Sequence, residues 1–277
     1  MLKRLRKAPP RRLELACRAR SCGTMQRLLR MLVIAAFCSI SDMTDPPHAE
    51  SCQTPEVEIR FSSGETPPSA VQFTRQLREA IQAVCEWWGP TYDGPFHVLV
   101  NDTFRESMAL VPAWSGRIGY MLFPTSMVTS GHVTTVHEVA HVFAPNANRF
   151  LAEGLAVYAQ DHLKGPPAFP NFGANLNILA RSYADRANLA VLDAAATPKP
   201  PRLMSTTLDA REVYIVAGSF VRFLIETYGL PEFRELYAMT PLVPGQRRPG
   251  KLDRWEKVYG LTMDELSSRW RESLDLK

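Results

Sequence analysis

Residues 137–141 read His137-Glu138-Val139-Ala140-His141, and residues 150–159 read Phe150-Leu-Ala-Glu153-Gly154-Leu-Ala-Val157-Tyr158-Ala159. Two histidines four apart fall on one face of a helix, one turn from each other, so both imidazoles can reach a single metal ion. Glu138 lies one step round, where its carboxylate can meet a water on that ion without ligating it. Zinc lowers the pKa of such a water and the glutamate takes its proton. Val136, Val139, Ala140 and Phe143 place this helix, predicted over 135–143, in a core.

A zinc site of this kind needs a third protein ligand and one open position. The metzincin pattern HExxHxxGxxH is excluded, because Ala144 and Ala147 stand where its glycine and third histidine belong. The next candidate is Glu153, on a second helix predicted over 150–162 and apolar nearly all the way round. A carboxylate buried there without a partner costs roughly several kcal/mol. It is therefore protonated, ion-paired or bound to metal. The two histidines lie twelve and sixteen residues upstream, across a Pro145-Asn146-Ala147-Asn148 turn, so metal is the simplest of the three. Asp161 and His162 compete for the role from the polar end of the helix. Gly154 is read as permitting the close approach.

Outward from these helices, the chain reads as mixed strands and helices before the site and helices alone after it. Val57 to Phe61 is a short strand, with Glu58 and Arg60 alternating against apolar neighbours. Phe73, Leu77, Ile81, Val84 and Trp88 recur at spacings of three and four, predicting a helix over 69–88 that Gly89-Pro90 ends. Phe96 to Val100 and Ile118 to Phe123 are further strands. Past the site, Pro/Gly segments at 164–174, 197–202 and 241–250 are loops. Val213 to Tyr228 is an apolar helix stopped by Gly229 and Pro231. Thr262-Met-Asp-Glu265 opens a last helix with a capping box and buries Leu266, Trp270 and Leu274. His132 reads as an exposed loop histidine, His48 and His97 carry no signal, and Trp87-Trp88 reads as packing.

The 277 residues are 45% hydrophobic and 22% charged, which suits a soluble chain with one sizeable core. The formal charge of +4 is concentrated at one end. Residues 1–30 hold ten Lys/Arg against one acid, Glu14, which leaves 22 bases against 27 acids, a balance of −5, over the remainder. That remainder offers no basic stripe, so no nucleic-acid partner is expected. Met31 to Ile40 is too short to span a bilayer, which needs ~20 residues. Behind its basic segment it reads as a secretory signal over about residues 25–41, with cleavage near Ser39-Ile40-Ser41 and Met25 as an alternative start. Residues 1–41 are thus assigned to the leader. A secreted or periplasmic, cell-envelope location follows, with no stable membrane span beyond the signal. A basic tail on a cytosolic protein is the competing reading. A lipid anchor at Cys38 is disfavoured by Phe37, where a small residue belongs. Of the five cysteines, Cys52 and Cys85 lie beyond the leader, either as a disulfide or as two thiols.

His137-Glu-x-x-His141, a short loop and Phe150-Leu-Ala-Glu153-Gly-Leu-Ala-x-Tyr158 resemble the gluzincin metallopeptidases, and specifically the small peptidase-MA-like domains. Ala217-Gly-Ser-Phe-Val-Arg-Phe-Leu224 with Tyr228-Gly229 is similar to the helix those domains place after the site. Trp255-Glu-Lys-Val-Tyr-Gly260 and Asp264-Glu-Leu266 through Trp270 resemble their C-terminal segment. The likeness spans roughly residues 55–275. It implies an α+β, zincin-like fold: a small mixed sheet packed on the HExxH helix, followed by a mostly helical C-terminal part. One domain over 42–277 follows, with an α/β part at 55–145 and a helical part at 146–277. The resemblance further implies His137, His141 and Glu153 as ligands of Zn2+, Glu138 as general base, and an upstream edge strand to align a peptide. Ile118 to Phe123 is the candidate for that strand. The chain has no match to the Gly-x-Met-Glu-Asn motif of the aminopeptidase branch, so an endopeptidase is expected. Val157 stands where thermolysin-like enzymes carry an Asp that orients a zinc histidine, so that support must come from elsewhere.

Charge developing on a substrate oxygen needs a donor beside the metal. Tyr214 is the candidate catalytic donor, with His162 as the alternative and a half-buried packing role for Tyr214 as the competing reading. Two functions are consistent with these residues. One is an exported zinc endopeptidase hydrolysing a peptide or protein substrate, its zinc-bound water activated by Glu138. The other is a non-catalytic zincin-fold module that binds a protein or peptide at the cell envelope. The intact Glu138 favours the enzyme, and Pro-rich loops at 164–170 and 197–201, if they occlude the cleft, favour the module or a regulated enzyme.

Overall fold

Neighbouring parallel strands need a crossover connection, and helix α1 (Ala70–Trp88) supplies it between β1 (Val57–Phe61) and β2 (Phe96–Asn101). The structure, a computed structural model, describes residues 52, 55–62, 68–111, 117–194, 207–243 and 248–274. The segment expected to be a leader, His48 and the loop expected at 197–202 lie outside the described residues. Helix α1 buries the expected face, Phe73, Leu77, Ile81, Val84 and Trp88. Cys85 near its end is bonded to Cys52, so the cysteine pair is a disulfide that ties the segment before β1 to the helix.

The sheet is mixed, in the order β1-β2-β4-β3, with β4 at Tyr120–Pro124 and β3 at Met108–Leu110. Strand β4 is parallel to β2 and antiparallel to β3. This corrects the expectation that residues 118–123 form the edge. Leu122 pairs with Leu99 on one side and Met108 on the other, so β4 is interior and β3 is the edge. Three residues are too few for an alternation of period two to register in sequence. Phe96, Val98, Val100, Met121 and Phe123 join α1 and the helix Thr135–Phe143 in one core.

The remaining described elements are helical. They are α2 (Thr125–Ser130), α3 (Thr135–Phe143), α4 (Arg149–His162), α5 (Leu176–Arg181), a short 3-10 helix (Ala184–Arg186), α6 (Leu189–Ala194), α7 (Ala210–Tyr228), α8 (Leu230–Ala238), α9 (Arg254–Tyr259) and α10 (Met263–Leu274). Helix α7 begins three residues before Val213 because Asp209 and Glu212 form a capping box. Gly229, at φ 106°, ends α7. Pro231 does not end the helical run, because proline is tolerated in a first turn and here opens α8. Helix α10 carries the expected box, with the Glu265 carboxylate accepting from the Thr262 N–H at 2.8 Å.

Helices α4 and α7 meet at glycines. A Cβ at position 154 would lie 2.7 Å from the Ala217 carbonyl oxygen, and one at 218 would strike Val157. Gly154 therefore admits the backbone of α7. Gly154→Ala should cost about 1–3 kcal/mol through overpacking and lower the thermal midpoint followed by circular dichroism. An unchanged midpoint would contradict this helix contact.

Candidate metal centre

Helix α3 starts with four N–H groups that lack intrahelical partners, and Thr134 at its N-cap makes no side-chain cap. One of the four is met from α4: Gln160 Oε1 accepts from the His137 N–H at 3.0 Å, and its amide nitrogen donates to Pro166 O at 2.7 Å. One buried glutamine thus joins the start of α3, the end of α4 and the Pro-rich loop. The turn between the helices is also held by buried amides. Asn148 caps α4 by accepting from the Leu151 N–H at 3.0 Å and donates to Asp193 Oδ1 at 2.7 Å. Asn146 donates to Tyr237 O and accepts from the Asn148 N–H. Asp193 is paired with the buried Arg254 of α9. Burial raises the Asp193 pKa, with Arg254, Asn148 and Trp255 opposing that rise.

Held in this way, α3 and α4 bring three side chains together. The Nε2 atoms of His137 and His141 are 3.2 Å apart, and Glu153 Oε2 is 3.3 Å from each. An ion bound tetrahedrally at about 2.0–2.1 Å requires ligand atoms about 3.3–3.4 Å apart, which this triangle meets. The donor chemistry agrees. Two imidazole nitrogens and one carboxylate oxygen converge, and no single proton can satisfy three such contacts. The residues present fit a zinc ion of the His2Glu type.

The sequence marks His137, His141, Glu138 and Glu153, and all four are in or beside the centre. It does not mark Arg149. On the first turn of α4, Arg149 Nη2 lies 3.0 Å from Glu153 Oε1 and donates to the Tyr214 hydroxyl at 3.1 Å. Its position four residues before Glu153, one turn along the same face, was the available signal. Burial alone would raise the Glu153 pKa, but Arg149, His141 and His137 together hold it well below the usual carboxylate range. For His137, burial pushes the imidazole down, yet Glu153 and Glu138 leave its pKa raised.

Glu138 is buried and faces the sheet edge. Its Oε2 accepts from the Ala109 N–H of β3 at 2.7 Å, and its Oε1 from the Thr134 hydroxyl at 3.2 Å. Thr134 in turn is hydrogen-bonded to Ser107, just before β3. Tyr214 stacks on His137 with ring centroids 6.3 Å apart and meets Phe169 edge-on at 5.5 Å. Burial is the main reason its pKa is raised. The other candidates are engaged elsewhere. Asp161 pairs with Arg222 and accepts from Asn171. His162 contacts Tyr158 and Trp87. His132 is exposed and bonds to Pro167 O, while His97 pairs with Glu58 on the outer sheet. Val157, where an orienting acid was absent from the sequence, packs towards Gly218. His137 Nδ1 is buried with no hydrogen-bond partner among the described residues.

No family model and no curated protein matches the chain. Solved structures do. The M1 zinc metallopeptidase from Deinococcus radiodurans aligns with 80% of this chain and 49% of its own, at a TM-score of 0.46 and 18% identity. A mutant of it bound to a Tyr-Ser-Ala substrate aligns over 80% and 48%, at 0.42 and 18%. A two-domain M1 zinc metallopeptidase mutant bound to L-tryptophan aligns over 80% and 49%, at 0.45 and 17%. The chain spans about half the length of the proteins it matches.

Glu153→Gln removes the charge that Arg149 and both histidines face. In metal-free protein near neutral pH it should cost roughly 3–5 kcal/mol by urea unfolding, the usual loss when a buried pair is broken from one side. Folding depresses the Glu153 pKa, so its contribution is present above about pH 4 and is lost as pH falls through the folded value. The gap between wild type and variant should therefore narrow in acid.

Proposed function

We propose that this chain is a zinc-dependent peptidase of gluzincin type, with His137, His141 and Glu153 as ligands and Glu138 as general base. The observation that carries the reading is the ligand triangle beside a glutamate hydrogen-bonded to an edge strand. When bound, zinc supplies Lewis-acid polarisation and a lowered pKa for water.

The chain's own residues supply the rest. In an extended strand the N–H and C=O of one residue point to the same side. Ala109 directs its N–H to Glu138, so its carbonyl faces the same side of β3, where no strand pairs among the described residues, and can accept from the backbone of an extended peptide. Each Glu138 oxygen has one protein partner and keeps a second lone pair. That lone pair takes a proton from the attacking water, and the glutamate then delivers it to the leaving nitrogen as the C–N bond breaks. Tyr214 stays protonated, because burial raises its pKa. Arg149 has no acceptor to offer, so the phenolic proton points away from it and is available to a developing oxyanion.

An endopeptidase is the favoured form, since no motif for a free amino terminus is present. Export to a secreted, periplasmic or envelope location is supported by the basic leader and by the Cys52–Cys85 disulfide, which suits an oxidising compartment. No helix among the described residues is long and apolar enough to cross a membrane. One observation favours a binding module instead: the Pro-rich loop is pinned at Pro166, Pro167 and Pro170 and lays Phe169 against Tyr214.

Wild type and Glu138→Gln should each retain about one zinc per chain by elemental analysis. Only wild type should cleave a peptide library, with the variant slowed by roughly 100-fold or more. Zinc in both with cleavage in neither would replace the enzyme by the binding module.

A further inference from the structure

A carboxylate can give a metal ion one oxygen or two, and two from Glu153 would consume the position a substrate needs. The two oxygens of Glu153 are divided in this structure. Oε2 faces both histidine nitrogens at 3.3 Å, and Oε1 faces Arg149 Nη2 at 3.0 Å. We infer that Arg149 is a positioning residue that makes Glu153 a one-oxygen ligand and so keeps a coordination position open for substrate. This rests on the zinc reading above.

The arrangement is built into the fold. Asn148, itself held by Asp193 and by Pro249 O, fixes the first turn of α4. Arg149 and Glu153 then stand one turn apart on the same face. The guanidinium is also fixed from outside the helix, because Nη2 donates to the Tyr214 hydroxyl of α7 at 3.1 Å. A guanidinium is planar and always charged, and it cannot yield its place by losing a proton. Releasing Oε1 would break a buried ion pair from one side, which is costly. Arg149 is also near enough to the ligand set to oppose a second positive charge.

The test uses the full chain loaded with cobalt(II), whose visible absorption is intense with four ligands and weakens when an oxygen is added. Wild type should show the intense spectrum. Arg149→Met, which keeps the apolar stem and removes the donors, should lose intensity several-fold at the same cobalt content. X-ray absorption on zinc-loaded wild type provides a second measurement that needs no variant, and should find one carboxylate oxygen. Unchanged cobalt absorption in Arg149→Met, or a two-oxygen carboxylate in wild type, would overturn the inference and leave the zinc reading standing. Wild type that binds neither metal would overturn both.

Discussion

A carboxylate buried at the centre of a helical core is the constraint on which this molecule turns. Glu153 lies in α4 among Leu151, Ala152, Leu155 and Ala156, all buried. Isolated, such a charge would pick up a proton. It is kept ionised because Arg149 covers one oxygen and two imidazoles cover the other. Those partners come from two helices, so the charge is tolerable only while α3 and α4 keep their relative placement. Much of the surrounding structure serves that placement. Asn146 and Asn148 fix the intervening turn, the Asp193–Arg254 pair anchors it to α9, and Gln160 binds the end of α4 to the start of α3. The glycine contact between α4 and α7 closes the other side.

A second coupling joins this helical half to the sheet. The Glu138 carboxylate takes the outward N–H of Ala109, and Thr134 links the same carboxylate to Ser107. The edge strand proposed to take a peptide is thereby hydrogen-bonded to the residue proposed to carry the proton. A three-residue edge strand is weak by itself, and it gains definition from this buried acceptor. The outward N–H of β3 and the Glu138 carboxylate are thereby held in one register.

The site is an economy of shared groups. One guanidinium nitrogen serves both Glu153 and Tyr214, and one glutamine serves two helices and a loop. Shared partners mean that substitutions here are not independent, and coupling between neighbours such as Arg149, Glu153 and Tyr214 is expected to be large.

What the sequence determined was local and periodic. Spacing of four put His137 and His141 on one face, an apolar helix made Glu153 conspicuous, and the repeat of α1 gave its buried face without long-range information. Arg149 was within reach of the same reasoning, by its spacing from Glu153. What only the tertiary structure decided depends on partners distant in the chain. Strand β3 is too short to announce itself, and its status as the edge is set by which strand β4 pairs with. The roles of Gln160, Asn148, Asp193 and Arg254 arise because backbone and charge left unsatisfied in one element are satisfied by side chains from another. Gly154 shows the division most clearly. Its lack of a side chain is visible in sequence, but that α7 fills the space follows only once two helices distant in the chain are packed together.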